Sequence, residues 1–223
     1  MAAPRFTDKP DETDVANQMK IPHRICLELT DHTHLHKRFP EQQFFLLNNP
    51  LRRLLNPPDR LISMLGIKNE HTVVDFGCGP GFYTIPLARI ANRAIGIDIS
   101  SKMLKRTSEY AQREAVIVEL IESDGTKINL EDNCVDLILS VHVYHEIADQ
   151  ELPEVLSEFS RILKLEGRLA VAERTRGGVL SRRFGPPIIE QESIIRELSS
   201  LGFVFHEMIS NGDDSVIIAK RIG

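Results

Sequence analysis

Val73-Val74-Asp75-Phe76-Gly77-Cys78-Gly79-Pro80-Gly81 is the stretch that decides the fold of this chain. It begins in the apolar, β-branched run His71–Gly77, which predicts a strand. It ends where Gly81 opens a run to Ala91 that predicts a helix, with Pro86 tolerated if it lies in the first turn. A strand-to-helix turn needs glycine where φ is positive or where a ligand presses on the backbone. The helix beyond it offers unpaired N–H groups. A dinucleotide loop needs G-x-G-x-x-G, and its third glycine would fall on Phe82. The spacing here is G-x-G-x-G, with Asp75 two residues before the first glycine. A bare glycine loop is often only a tight β-α turn. The next strand, however, ends in Asp98, and a carboxylate at that tip can accept two hydroxyl hydrogen bonds from a ribose diol.

Working outward, residues 59–67 put Leu61, Ile62 and Leu65 on one helical face, with Gly66 as a stop. Strands are predicted at 93–100, 115–123, 135–141 and 167–173. A helix with a serine cap is predicted at 100–114, and the clearest amphipathic helix at 152–164. Another helix, 188–202, has Gly202 placed to end it. Residues 203–210 and 214–222 read as two strands joined by Asn211-Gly212-Asp213. Alternating strands and helices predict a parallel α/β sheet with helices on both faces. The short last joint makes the final strand antiparallel to its predecessor.

The whole chain has 223 residues, 42% hydrophobic and 26% charged, which suits a single domain large enough for its own core. Residues 1–56 are expected to be a polar tail and a helical lid segment, and residues 57–223 the main domain. The 27 Lys+Arg against 32 Asp+Glu leave a net charge of −5, which argues against a general polyanion binder. Cys26, Cys78 and Cys134 form no CxxC pair, so neither a disulfide framework nor a thiolate zinc site is indicated, and a reducing compartment is expected. The N-terminal stretch has no apolar signal core and no run is long enough to span a membrane, so a cytoplasmic protein is expected.

The order of these pieces resembles the class I S-adenosylmethionine-dependent methyltransferases, the branch similar to ubiquinone- and menaquinone-biosynthesis enzymes. The resemblance covers roughly residues 60–222 and rests on VVDFGCGPG, GIDIS, ESDGTKINLEDNCVDLILS and ILKLEGRLAVAE. It implies a Rossmann-like seven-stranded sheet whose last strand is antiparallel, with a helical N-terminal appendage. It implies S-adenosylmethionine as cofactor. Asp75 and the loop Gly77, Cys78, Gly79 and Gly81 would lie against its methionine part. Asp98, with Ile99 beside it, would hold the ribose. Asp124 and Gly125 would face the adenine, and Ser140 the methionine end.

The end of the fourth strand, Ser140 to Ile147, is the densest set of titratable groups beside that loop. Methyl transfer is an in-line displacement from an activated donor, so alignment is the protein's main task. A base is needed only for an acceptor that holds its proton tightly, such as a phenol or enol. His142, Tyr144 and His145 are the candidates. If the strand continues, His142 and Tyr144 share the pocket face. Glu146 reads as a helix-start carboxylate. Val141-His142-Val143-Tyr144 stands where amino- and base-methylating relatives carry an Asn/Asp-Pro-Pro-Tyr tetrad. Its absence and the negative charge favour a small-molecule acceptor over nucleic acid. The alternatives are a tRNA or protein methyltransferase, a non-catalytic S-adenosylmethionine-binding domain and, more weakly, a nicotinamide oxidoreductase. His32 and His36 stand at helical i, i+4 spacing, near His23, His34 and Cys26. A lid or polar surface, with Phe39, Phe44 and Phe45, is preferred there to a metal site. Arg174, Arg176, Arg182 and Arg183 read as a solvated basic loop, or as a contact for an anionic acceptor.

Overall fold

The computed structural model describes residues 57–177 and 187–222. In chain order these form α1 (Pro58–Met64), β1 (Thr72–Phe76), α2 (Thr84–Ala88), β2 (Arg93–Asp98), α3 (Ser101–Arg113), β3 (Glu119–Glu122) and β4 (Val135–Val141). A 3₁₀ turn (Tyr144–Glu146), α4 (Leu152–Ile162), β5 (Leu163–Arg174), α5 (Gln191–Ser200), β6 (Phe203–Asn211) and β7 (Asp214–Arg221) follow. The strands make one sheet in the order β3-β2-β1-β4-β5-β7-β6. The first five pair in parallel, and β7 runs antiparallel between β5 and β6. This is the Rossmann-like sheet that the alternation predicts, with its last strand reversed. The candidate segment 1–56, with its histidines and Cys26, and Arg182 and Arg183 lie outside the described residues.

Neighbouring residues of the central strands feed opposite faces, as the two-residue period of a strand requires. Val73, Leu137, Leu139, Ala170 and Ile218 pack with Leu61, Ile62 and Leu65 of the α1 region and with Leu87 of α2. Val74, Ile138, Val171 and Ile217 pack with Leu156 and Phe159 of α4 and Leu198 of α5. Phe76 meets Phe159 edge-on, ring centres 4.8 Å apart. The central strands are buried on both sides, which is why they are unbroken apolar runs rather than alternating ones.

Several elements differ from the sequence expectation. The helix predicted from Gly81 begins only at Thr84, so Pro86 does fall in its first turn. The third strand is four residues rather than nine, and Ile117 before it is 92% exposed. It is an edge strand, with one neighbour and little core to meet. The fifth strand starts at Leu163, directly after α4, not at Gly167. Ser100 occupies the cap position of α3 but its side chain makes no cap bond; its N–H donates instead to Asp98 Oδ1 at 2.9 Å. In the last hairpin Asn211 pairs with Asp214, so the turn is Gly212-Asp213. Only Gly212 of the two has positive φ, +70°, the pattern of a turn with glycine at its first central position.

Candidate functional site

The carboxyl ends of β1, β2, β3, β4 and β5 share one edge. Phe76 pairs with Ile97 and Ser140, Asp98 with Glu122, and Val141 with Ala172. The antiparallel β7 delivers its amino end, Asp214, opposite Arg174 on that same edge. Strand order reverses between β1 and β4, where open α/β sheets form their ligand crevice.

The glycine loop lies at this reversal. Gly77, Gly79 and Gly81 have φ of +69°, +53° and +84°, so all three take a conformation that favours glycine. A Cβ at Gly77 would come within 2.2 Å of Val143, whereas one at Gly79 meets nothing within 4 Å among the described residues. Gly79 is therefore the open crest of the loop. Its N–H donates to Asp98 Oδ2 at 2.8 Å, and its carbonyl accepts from Thr107 Oγ1 at 2.7 Å. Asp98 thus joins the loop to the tip of β2 and the start of α3. Burial holds its carboxyl above the ordinary range. Asp75 is turned inward, accepting from Thr84 Oγ1 at 2.5 Å. Its burial pushes the carboxyl up to about 7, against the Thr84 bond. Cys78 is buried against Gly96, and burial raises its thiol well above the usual value, so it fills space without thiolate character. Ile99 is 47% exposed beyond β2. Asp124 is exposed and accepts from Thr126 N and Oγ1, making a local turn. Gly125 is packed beneath it, where a Cβ would meet the Phe76 ring at 2.7 Å. Ser140 Oγ is buried and has no hydrogen-bond partner among the described residues.

Beyond Val141 the strand stops. His142 takes φ +56°, and Tyr144 starts the 3₁₀ turn. The alternation expected for His142 and Tyr144 fails because a left-handed residue reverses the chain's direction. The Tyr144 ring enters the core beneath the sheet, and its hydroxyl donates to Glu197 Oε2 at 2.8 Å. Burial and then the Glu197 charge raise that phenol above its usual value. Glu146 is exposed and lies in the single turn of the 3₁₀ helix.

His142 and His145 converge on Glu173, the penultimate residue of β5, which is fully buried. His145 Nδ1 lies 2.9 Å from Glu173 Oε2, and the His145 N–H reaches Oε1 at 3.4 Å. His142 Nε2 lies 3.2 Å from Asp214 Oδ2, and its Nδ1 lies 3.8 Å from Glu173, too far for a hydrogen bond. Burial alone would depress His142. The two carboxylates outweigh it and raise the imidazole to about 9. Burial alone would raise Glu173, and the two histidines reverse this and hold it below the ordinary range. The sequence reasoning missed Glu173 and Asp214. Each is an acid at a strand end, and the strand order that joins them to His142 comes from the sheet.

Arg174 is buried, its Nε donating to the Arg176 carbonyl and its guanidinium 3.9 Å from Asp213. It is not part of a solvated loop, and Arg176 alone of the four arginines is described as exposed. Among the described residues no cluster of three His, Cys, Asp or Glu has the spacing of a metal site, and no helix is long and apolar enough to cross a membrane.

Residues 74–171 match the family described as "Methyltransferase domain". An uncharacterized methyltransferase of Geobacillus thermodenitrificans is 29% identical over 115 residues, 52% of this chain and 52% of that protein. The chain spans about half the length of the curated relatives at the head of that comparison. A SAM-dependent methyltransferase from Aquifex aeolicus is 25% identical, covers 83% of this chain and 100% of its own, and superposes with a TM-score of 0.74. The magnesium protoporphyrin IX methyltransferase of Synechocystis PCC 6803, solved with bound SAH, shares the fold with a TM-score of 0.57 at 20% identity, over 74% of this chain and 79% of its own. Sheet order, glycine loop and these likenesses agree: residues 74–171 of this chain carry a methyltransferase domain, on the fold of the S-adenosylmethionine-dependent methyltransferases.

Proposed function

We propose that this chain transfers a methyl group from S-adenosylmethionine to a small-molecule acceptor by in-line displacement. The observation that carries the proposal is the glycine loop at the β1/β4 reversal, with an acid at the tip of β2 on one side and the His142–His145–Glu173–Asp214 cluster on the other. Bound there, S-adenosylmethionine supplies a methyl carbon on a sulfonium, already activated for displacement. The chain's own residues hold and align it. Gly77, Cys78, Gly79 and Gly81 give the methionine part a backbone wall, open at Gly79. Asp98 takes the ribose, and Ile99, Asp124 and Gly125 the adenine side. Ser140 Oγ, buried and without a hydrogen-bond partner among the described residues, fits a polar group at the methionine end. Asp75 supports the loop from inside through Thr84.

What supports a small acceptor is the missing Asn/Asp-Pro-Pro-Tyr tetrad, the net charge of −5 and the inward turn of Arg174. The cluster at the acceptor end is rich in carboxylates, which disfavours a polyanion. Tyr144, tied to Glu197 inside the core, is assigned to packing, and His142 and His145 remain the groups facing the acceptor.

Calorimetric titration tests the cofactor directly. S-adenosylmethionine and S-adenosylhomocysteine should bind in the micromolar range and NADH should not. Binding of NADH alone would overturn the proposal. Salt-sensitive binding of tRNA would overturn the small acceptor.

A further inference from the structure

Two histidines flank one buried carboxylate, yet their surroundings differ. His142 sits between Asp214 and Glu173 and is held protonated by them at neutral pH. An imidazolium has no lone pair to offer, so His142 cannot take a proton. His145 Nδ1 lies 2.9 Å from Glu173, and Glu146 is the second carboxyl that interacts with this ring's charge. An ionised carboxylate only accepts hydrogen bonds, so Nδ1 must carry the hydrogen. A neutral ring with Nδ1–H has its lone pair on Nε2. His145 Nε2 has no partner among the described residues and is not sealed from solvent. Glu173 is itself fixed, being fully buried at the end of a paired strand, so it sets the ring's orientation as well as its tautomer.

We infer that Glu173 is a positioning residue that holds His145 with Nε2 free, and that His145 Nε2 takes the proton from a neutral hydroxyl acceptor of the phenol or enol class. This rests on the methyltransferase reading above. The acceptor O–H gives its proton to Nε2 while the same oxygen bonds the methyl carbon. The electron pair of the broken carbon–sulfur bond stays on sulfur, and the proton later leaves Nε2 for water. Charge points to this acceptor class. Glu173 and Asp214 already surround one fixed cation, so an anionic acceptor meets repulsion, and an ammonium acceptor would hold its nitrogen lone pair as N–H. A phenol or enol enters neutral and needs a base only at the moment of transfer.

Two-bond proton–nitrogen NMR of the full chain, labelled at histidine, reads the tautomer without cofactor or acceptor. His145→Gln assigns the signal. The wild type should show His145 as the Nδ1–H tautomer, and Glu173→Gln should shift it toward Nε2–H. An Nε2–H tautomer in the wild type overturns the inference, even if Glu173→Gln fails to fold. The second arm uses 4-nitrophenol with saturating S-adenosylhomocysteine, read by its phenolate absorbance. The probe should bind as the neutral phenol and ionise at higher pH when bound than when free, and His145→Gln should weaken its binding. A probe that binds as well or better as the phenolate, or does not bind, overturns the acceptor class. Calorimetry of S-adenosylhomocysteine on the same samples separates the two layers. Failure of cofactor binding sinks the methyltransferase reading; binding with the wrong tautomer sinks only this one. With a turned-over phenol, Glu173→Gln should lower kcat about a hundredfold while leaving KM nearly unchanged.

Discussion

Asp75 is buried and His142 partly buried, and both are displaced from their ordinary titration in ways that affect stability with opposite meaning. The Asp75 carboxyl ionises near 3.8 when unfolded and near 7 when folded. Between those values the folded chain binds more protons, so stability falls as pH rises, and the full cost applies above about 7. Asp75→Asn keeps an acceptor for Thr84 and removes the charge. It should stabilise the cofactor-free protein by about 2–4 kcal/mol above pH 7, with the gain fading toward pH 4, as measured by urea unfolding at both. His142 runs the other way. Its stabilisation is complete below 6.5 and lost as pH rises through about 9. His142→Gln should therefore cost up to about 3 kcal/mol near pH 6 and little near pH 10, seen as a flattened melting-temperature profile across that window. An equal loss at both ends would show that packing, not charge, holds the residue.

At the scale of elements, the glycine loop separates structural from ligand-facing positions. Gly77→Ala drives a methyl into Val143 and should cost more than about 2 kcal/mol, measured as a shift in denaturation midpoint. Gly79→Ala meets open space and should cost only about 1 kcal/mol of backbone strain, yet lower S-adenosylhomocysteine affinity at least tenfold by calorimetry. Unchanged affinity would place the cofactor away from the loop crest. The strands of this sheet were readable because burial on both faces writes continuous apolar runs, as in Val135–Val141. The short third strand was not, since an edge strand with one neighbour needs few apolar residues. The placement of Asp75, the loop glycines and Asp98 at one edge of the sheet was readable because it depends on local spacing. Glu173 was not, because its partners lie 28 or more residues away and meet it only through strand order. Nor was the turn of His142, since a single positive φ breaks the alternation on which the Tyr144 reading depended.

For the molecule as a whole, cofactor binding is also a stability term. A ligand at a hundred times its Kd adds about 2.7 kcal/mol to the folded state. Saturating S-adenosylhomocysteine should raise the melting temperature by roughly 5–10 °C for a chain of this size, and Asp98→Ala should erase the rise. The placement of β7 also bears on the order in which the molecule is built. β7 follows β6 in the chain but inserts between β6 and β5. While residues up to Asn211 emerge during synthesis, β5 is an open edge able to recruit a stray strand. Over that interval His142 has no Asp214, although the glycine loop and the His145–Glu173 pair are already made. The hairpin at Gly212 then does two things at once, sealing the β5 edge and bringing the second carboxylate to His142.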